Sequence, residues 1–337
     1  MERTSVNICK MTVLIVTYNS KLEKLILTLE SVLQQKFEDY EIVIADDASK
    51  EKCFKQLKEY FEYRQFRNYK LVSQEENLGT VKNLIHGLEL VNGKYVKFIS
   101  AGDTLYDEST LQKIYDFMEE EQSECCFGLM QGYRRQQNAM EKISFPHPFD
   151  IEAYRKKKSK RIERNLVVYS DNVCGASLCY EKNFAIEYMN KISDCVVYEE
   201  DIFQVLSTLE GRPITFLDDY VVWYEYGEGV STSGQSKFQE ALAKDTELFY
   251  EKIYQNYPKN RYIRKRHGLI KFYRIRNLYF RTVLRFFVNP HLVCYLTSAL
   301  LQKVTKKHEK TNERNGFLDR EVFWKNIDII MELVKVG

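Results

Sequence analysis

The feature that most constrains this chain is the alternation of short apolar runs with helix-period segments over residues 11–103. Residues 12–17 (TVLIVT) are β-branched and apolar, the composition of a strand buried on both faces. Over 22–35, apolar side chains recur at Leu22, Leu25, Ile26, Leu29, Val32 and Leu33, the spacing of one helical face. Strands are then expected at 40–45, 69–73 and 95–100, with helices at 51–66 and 80–90 between them. Such alternation with short connections predicts a mostly parallel, doubly wound α/β sheet. Ligands of these sheets bind beyond the carboxyl ends of the strands. The polar residues at those ends are Thr17, Tyr18 and Asn19; Asp46, Asp47 and Ser49; Gln74 to Asn77; and Ser100 to Asp103. All four groups are expected on one edge.

The middle, 104–225, is less regular. A helix is expected at 111–121, strands at 125–132, 177–180, 214–217 and 220–226, and a helix at 201–209. Residues 154–164 (YRKKKSKRIER) read as a solvated basic loop or helix face. With 24 Tyr and 20 Phe, the chain has enough large apolar surface to bury a core, which excludes a disordered class.

The formal charge of +2 hides an asymmetry. Residues 256–310 hold 14 Lys and Arg against one acid, so the remainder is net −11. On a helical wheel Arg264, Lys271, Arg274, Arg281 and Arg285 fall within about 100° of one another, opposite Phe272, Ile275, Tyr279, Val283, Phe286 and Phe287. A basic amphipathic helix over 261–288 follows, ended by Pro290. Such a helix packs on its own protein or lies on an anionic membrane surface. No motif for nucleic acid is present. The eight cysteines form no CxxC pair, which fits neither a zinc site nor a disulfide framework and points to reduced thiols in the cytoplasm. The N-terminal apolar run and 292–301 are each too short to span a bilayer.

Three acidic positions carry the candidate chemistry, each with a structural alternative. Asp46 and Asp47 can meet a base or ribose, or Asp47 and Ser49 can cap the next helix. Asp103 can hold a divalent cation through a ligand's phosphates, or cap a helix beyond a Gly102 turn. Glu200 and Asp201 can supply a general base, or be ordinary acids at a helix N-terminus.

Read in order, the parts narrow. Val16 to Asn19, Asp46 to Ser49, Glu76 to Gly79 before a helix with Asn83 and Gly87, Gly93 to Tyr95, Ser100 to Asp103, and Glu200 with Asp201 follow one another. This series resembles the family 2 glycosyltransferases of bacterial polysaccharide biosynthesis, and it covers 11–235. The resemblance implies the GT-A fold with a catalytic domain at 1–235. Its nucleotide half would be 11–103 and its acceptor half 104–235, followed by a basic helical region at 236–337. It implies a hexosyl or N-acetylhexosaminyl transfer, inverting, from a nucleotide-sugar donor of the UDP type to a saccharide or lipid-linked saccharide acceptor.

The resemblance also implies roles. Thr17, Tyr18 and Asn19 line the nucleotide pocket, Asp46 or Asp47 contacts uracil or ribose, and Asn77 and Asn83 shape the donor site. Asp103, with Ser100 and Gly102 beside it, ligates manganese or magnesium on the donor diphosphate. Asp201 is the base for the acceptor hydroxyl, supported by Glu200. Gly229, Ser231 and Ser233 sit where a lid closes over the donor, and 172–176 (NVCGA) borders the acceptor. The family's acidic turn usually carries more carboxylates; here Ser100 and Gly102 replace two of them. A lipid-linked acceptor would place the protein at the cytoplasmic face of the membrane, in capsule or cell-envelope assembly. Two rivals stand beside this reading: an inactive relative that binds a sugar nucleotide or glycan, and a sugar-nucleotide nucleotidyltransferase. The latter usually has a glycine-rich loop after the first strand, and residues 17–20 contain no glycine.

Overall fold

The parallel order inferred from the alternation is present in the computed structural model, which describes residues 9–136, 139–143, 148–195, 199–227, 236–270 and 315–336 and scattered positions between 272 and 297. Four strands, β1 (Met11–Thr17), β2 (Tyr40–Asp46), β3 (Tyr69–Ser73) and β4 (Tyr95–Ser100), lie in the order β3-β2-β1-β4, all parallel. Helices α1 (Leu22–Leu33), α2 (Phe54–Tyr63) and α3 (Thr80–Leu88) make the crossovers. The sheet continues beyond β4 through β8 (Leu178–Glu181), β6 (Cys125–Gln136), β9 (Thr215–Glu225) and the two-residue β5 (Thr104–Leu105), with β7 (Ala139–Ile143) paired to β6. In this second half parallel and antiparallel pairings mix. The arrangement is the GT-A fold.

Each face of the sheet buries its own core. On one side β1 to β4 present Val13, Ile15, Ile42, Ile44 and Ile99 to α1, α2 and α4 (Thr110–Glu120). On the other, Leu14, Val43, Val96 and Phe98 meet α3, α7 (Lys182–Lys191) and α8 (Glu199–Leu209). Continuous apolar strands are the expected consequence of burial on both faces.

The structure differs from the sequence expectation in one strand and adds detail in two helical stretches. The two strands expected at 214–217 and 220–226 are one strand, β9, whose register against β6 shifts between Gly128 and Met130. Gly128 permits that bend, since a Cβ there would lie 2.4 Å from Val221 Cγ1. The basic run 154–164 forms the end of α5 (Ile151–Arg155) and α6 (Ser159–Arg164); Arg155 pairs with Asp218 of β9 and Arg161 with Asp150. Of the basic amphipathic helix, α10 (Arg261–Ile270) is described, beyond α9 (Ser236–Asn256). Almost all of 292–301 lies outside the described residues.

The last helix, α11 (Glu321–Val336), returns to the first half of the chain and packs on α1 and α2. Phe323, Ile327, Ile330, Met331 and Val334 join the core on that face. Burying a large apolar side chain contributes about 1.5–3 kcal/mol. The segment 315–336 is therefore part of the core on that face of the sheet.

Glycines test the closeness of this packing. A Cβ on Gly93, just before β4, would meet Thr12 N at 2.4 Å and Met11 C at 2.5 Å, both main-chain atoms. Nothing lies within 4 Å of one on Gly268, inside α10. Gly93→Ala is expected to destabilise the protein by about 1–3 kcal/mol, and Gly268→Ala to stabilise it by up to about 1 kcal/mol through helix propensity. Urea melts of the two variants check both signs.

Candidate active site

Strand register brings the sequence clusters together. Thr17 pairs with Asp46, Asp46 with Ser73, and Val16 with Ser100. The polar ends of β1, β2, β3 and β4 thus form one row along a single edge.

The loops leaving that row are tied to one another. Asp47 N donates to Thr17 O at 2.9 Å, and Gln74 N to Asp46 O at 2.9 Å. Asp46 accepts from Ser49 N at 2.9 Å, from Ser73 Oγ at 2.9 Å and from Ser49 Oγ. Asp47 accepts from Leu78 N and Gly79 N, each at 2.9 Å. The expected alternative of a cap on the next helix does not occur: no side chain caps α2. Asp47 instead satisfies main-chain donors at the start of α3, which the fold would otherwise bury without partners. Burial raises its pKa, the two N–H groups oppose the rise, and Asp46 adds to it.

Asn19 adopts a left-handed conformation, φ 50°, and its main chain donates to Ser49 Oγ at 2.7 Å while its Oδ1 accepts from Lys50 N at 3.0 Å. Tyr18 and Asn77 are exposed at the rim. Asn83 is buried and its Nδ2 donates to Ala45 O at 3.0 Å, fixing α3 to the end of β2.

The turn after β4 is the most constrained part of the row. Ser100 is exposed and Asp103 buried, 5% accessible. Thr28 of α1 donates to Asp103 O at 2.7 Å and accepts from Gly102 N at 3.0 Å; Tyr133 Oη of β6 donates to Gly102 O at 2.5 Å. Gly102 has φ +106°, and a Cβ there would lie 2.2 Å from Glu225 Oε2. The volume where a second acid would project from the turn is therefore filled by Glu225 of β9. Its carboxylate bonds Lys24 Nζ at 2.8 Å, and its main-chain N donates to Asp103 Oδ1 at 2.9 Å. Asp103 caps no helix.

Burial drives Asp103 up to about 7; the Glu225 N–H opposes this, the Glu225 carboxylate reinforces it, and Lys97 and Lys24 offset part of it. Lys97, wholly buried within β4, is driven down to about 8 by loss of hydration. Its Nζ donates to Leu178 O at 3.1 Å and to Ala176 O.

Among the described residues no three His, Cys, Asp or Glu side chains gather as a metal cage. A hard cation that keeps its waters and takes phosphate oxygens needs only one or two protein carboxylates. Asp103, with Glu225 beside it, fits that requirement, and a neighbouring dication would favour the ionised carboxylate that burial disfavours.

The acids expected as base and support, Asp201 and Glu200, stand at positions in the first turn of α8, and their side chains lie outside the described residues. So do Gly229, Ser231 and Ser233. Sequence reasoning did not single out Lys24, Glu225, Lys97 or Gln204. Two of these had a signal: a lysine within YVKFIS and a glutamine within DIFQVL are polar residues inside apolar runs.

Comparisons with known proteins agree with this architecture. Residues 12–179 match the family described as Glycosyl transferase family 2. No curated protein matches the chain. Among solved structures, that of S. aureus TarS 1-349 in complex with UDP-GlcNAc is 21% identical with a TM-score of 0.51, over 73% of this chain and 66% of that one. A second crystal structure of S. aureus TarS 1-349 is 20% identical with a TM-score of 0.53, over 80% of this chain and 74% of that one. The chain spans just under two thirds of the first of these, and at such identities the likeness is one of fold.

The Asp103 carboxylate has a pH signature. Its folded pKa of about 7 lies above the ordinary 3.8, so the fold penalises the ionised form. The penalty is absent below 3.8, grows through the interval and is complete above about 7. In metal-free buffer, Asp103→Asn is expected to gain stability relative to the unaltered chain as pH rises through this interval, by on the order of 3 kcal/mol. Urea melts across the range check it; parallel stability curves would show a carboxylate ionised without penalty.

Proposed function

Because the chain belongs to glycosyl transferase family 2, we propose that it moves a sugar from a UDP-sugar to a hydroxyl of a saccharide acceptor in cell-surface polysaccharide biosynthesis. The observation that carries this reading is the single row of Thr17, Asp46, Ser73 and Ser100, with Asp103 held beside it. Thr17, Tyr18 and Asn19, with Asn77 and Asn83, form the nucleotide side. Asp46 and Asp47 shape it by holding three loops and keep acceptor capacity toward base or ribose. Asp103 is the carboxylate for a manganese or magnesium ion, with Glu225 adjacent. Such an ion supplies neutralisation of the charge that develops on the diphosphate.

The reaction is a single displacement. The acceptor oxygen bonds to the anomeric carbon as the bond from that carbon to the diphosphate oxygen breaks, with inversion. The hydroxyl proton passes to Asp201, supported by Glu200. The lid role stays with Gly229, Ser231 and Ser233, as the family resemblance implies.

A relative of the same fold is solved with UDP-GlcNAc, which makes that donor the first to test. In a thermal-shift panel, UDP or a UDP-sugar with manganese is expected to raise the melting temperature. The shift is expected to disappear in Asp103→Ala, while Asp201→Asn retains it and loses turnover. No shift with any nucleotide would overturn the donor reading in favour of an inactive relative. Formation of a sugar nucleotide from a nucleoside triphosphate and a sugar phosphate would move the chain to the nucleotidyltransferases.

The acceptor side is read as lipid-linked. Among the described residues no helix is long and apolar enough to cross a membrane. Phe280, Val283 and Phe287 are exposed at one-face helical spacing within the basic stretch 261–288. That combination suits an anionic membrane surface at the cytoplasmic face. The protein is expected to co-sediment with phosphatidylglycerol vesicles, less so at high salt and less in Phe287→Ser. Equal binding to phosphatidylcholine vesicles would discard the electrostatic reading.

A further inference from the structure

Between α6 and β8 the chain passes through residues 170–177 without joining the sheet. Val173 lies in this passage and is wholly buried, so its main-chain N–H and C=O need partners that no strand supplies. One side chain supplies both. Gln204 of α8, itself 0% accessible, accepts from Val173 N at 2.9 Å and donates through Nε2 to Val173 O at 2.8 Å. A two-point bond of this kind fixes rotation as well as distance. Three residues further on, Lys97 binds the carbonyls of Ala176 and Leu178. The passage 173–178 is thus bolted to α8 at one end and to β4 at the other.

Position 201 lies three residues before 204, on the same face of α8. Lys97 lies in the strand that runs directly into the Ser100 to Asp103 turn. We infer that Gln204 is a positioning residue, whose paired bonds to Val173 set the helix bearing Asp201 at a fixed distance from the strand bearing Asp103. The inference rests on the transferase reading above, in which these two carboxylates act on opposite partners of one displacement. A base displaced by about 1 Å from the attacking hydroxyl costs on the order of 100-fold in rate. Among the described residues, the nucleotide side of the donor site, at the ends of β1 and β2, makes no bond to Gln204 or Val173.

The test compares the unaltered chain with Gln204→Met, which fills the same volume without either hydrogen bond, and with Gln204→Glu. A buried carboxylic acid in its neutral form retains one acceptor and one donor. UDP affinity is measured by calorimetry. Turnover is measured as UDP release from the nucleotide sugar that gives the largest thermal shift. Amide exchange is followed in peptides covering 171–178 and 199–209. Gln204→Met is expected to bind UDP within about twofold of the unaltered chain and to lose about 10- to 100-fold in kcat. Exchange in both peptides is expected to quicken, and Gln204→Glu to recover part of the rate. A folded Gln204→Met with unaltered kcat overturns the inference, as does a loss of UDP affinity that matches the loss of kcat. Should Gln204→Met not fold, Gln204→Asn, one methylene too short to reach both Val173 groups, is judged by the same two criteria. An unaltered chain that binds donor yet releases no UDP overturns the transferase reading itself, and the inference with it.

Discussion

Two adjacent carboxylates at the end of β2 organise the loops on which the site is built. Asp46 gathers Ser49 and Ser73, and Asp47 gathers the main chain of Leu78 and Gly79. The Asp46–Ser73 bond ties two paired strand ends, and the Asp47 bonds join the loop after β2 to the start of α3. Parallel strands in register align the loops, but alignment alone leaves their N–H groups exposed to burial without partners. A buried carboxylate satisfies several such donors at once, and charge-assisted bonds of this kind are stronger than neutral ones. Burial opposes this: it outweighs the two N–H groups and raises the Asp47 pKa. The edge is therefore held in one arrangement by its own side chains.

A second junction secures the turn that bears Asp103. The carbonyl of Tyr106 accepts from Phe317 N at 2.8 Å and from Trp223 Nε1 at 3.2 Å, and the Tyr106 ring stacks between Tyr220 and Trp223. Gly316 brings the returning chain so close that a Cβ there would strike the Trp223 indole at 2.6 Å. Trp223 is the β9 residue paired with Thr104, and Glu225 two residues on holds the Asp103 carboxylate. The late segment 315–336 thus buttresses β9, and β9 buttresses the turn. The sequence placed 315–336 in a basic helical region at 236–337, because composition reports charge along the chain and not which distant strand a segment meets.

The first half of the fold was legible because its signals are local. A fully buried parallel strand reads as an unbroken β-branched run, and the four strands predicted from such runs are present within a residue of their expected limits. Register followed from topology, so the row of strand ends was predictable without coordinates. The second half was less legible where pairing departs from a rule of periodicity. The single β9 looked like two strands because residues 218–219, both Asp, interrupt its apolar pattern at the register shift. Glu225 could not be singled out, since its meaning depends on an empty volume at Gly102 some 120 residues earlier. Gln204 and Lys97 carried a faint signal as polar residues in apolar runs, but their partners are main-chain atoms, which no residue pattern identifies.

The two halves therefore differ in how they hold their shape. The edge at the ends of β1 to β4 rests on a continuous parallel ladder set by main-chain hydrogen bonds, to which the Asp46 and Asp47 carboxylates tie the loops. The passage at 170–178 rests on a few buried side chains, Gln204 and Lys97 foremost, that reach to main chain. Each such bond is an all-or-none requirement, because a buried carbonyl or N–H left alone costs about 1–3 kcal/mol. The result is a wall that is rigid within one sequence yet free to be re-routed by exchanging a small number of supports. Connecting passages of an α/β fold are where such re-routing leaves the parallel ladder undisturbed.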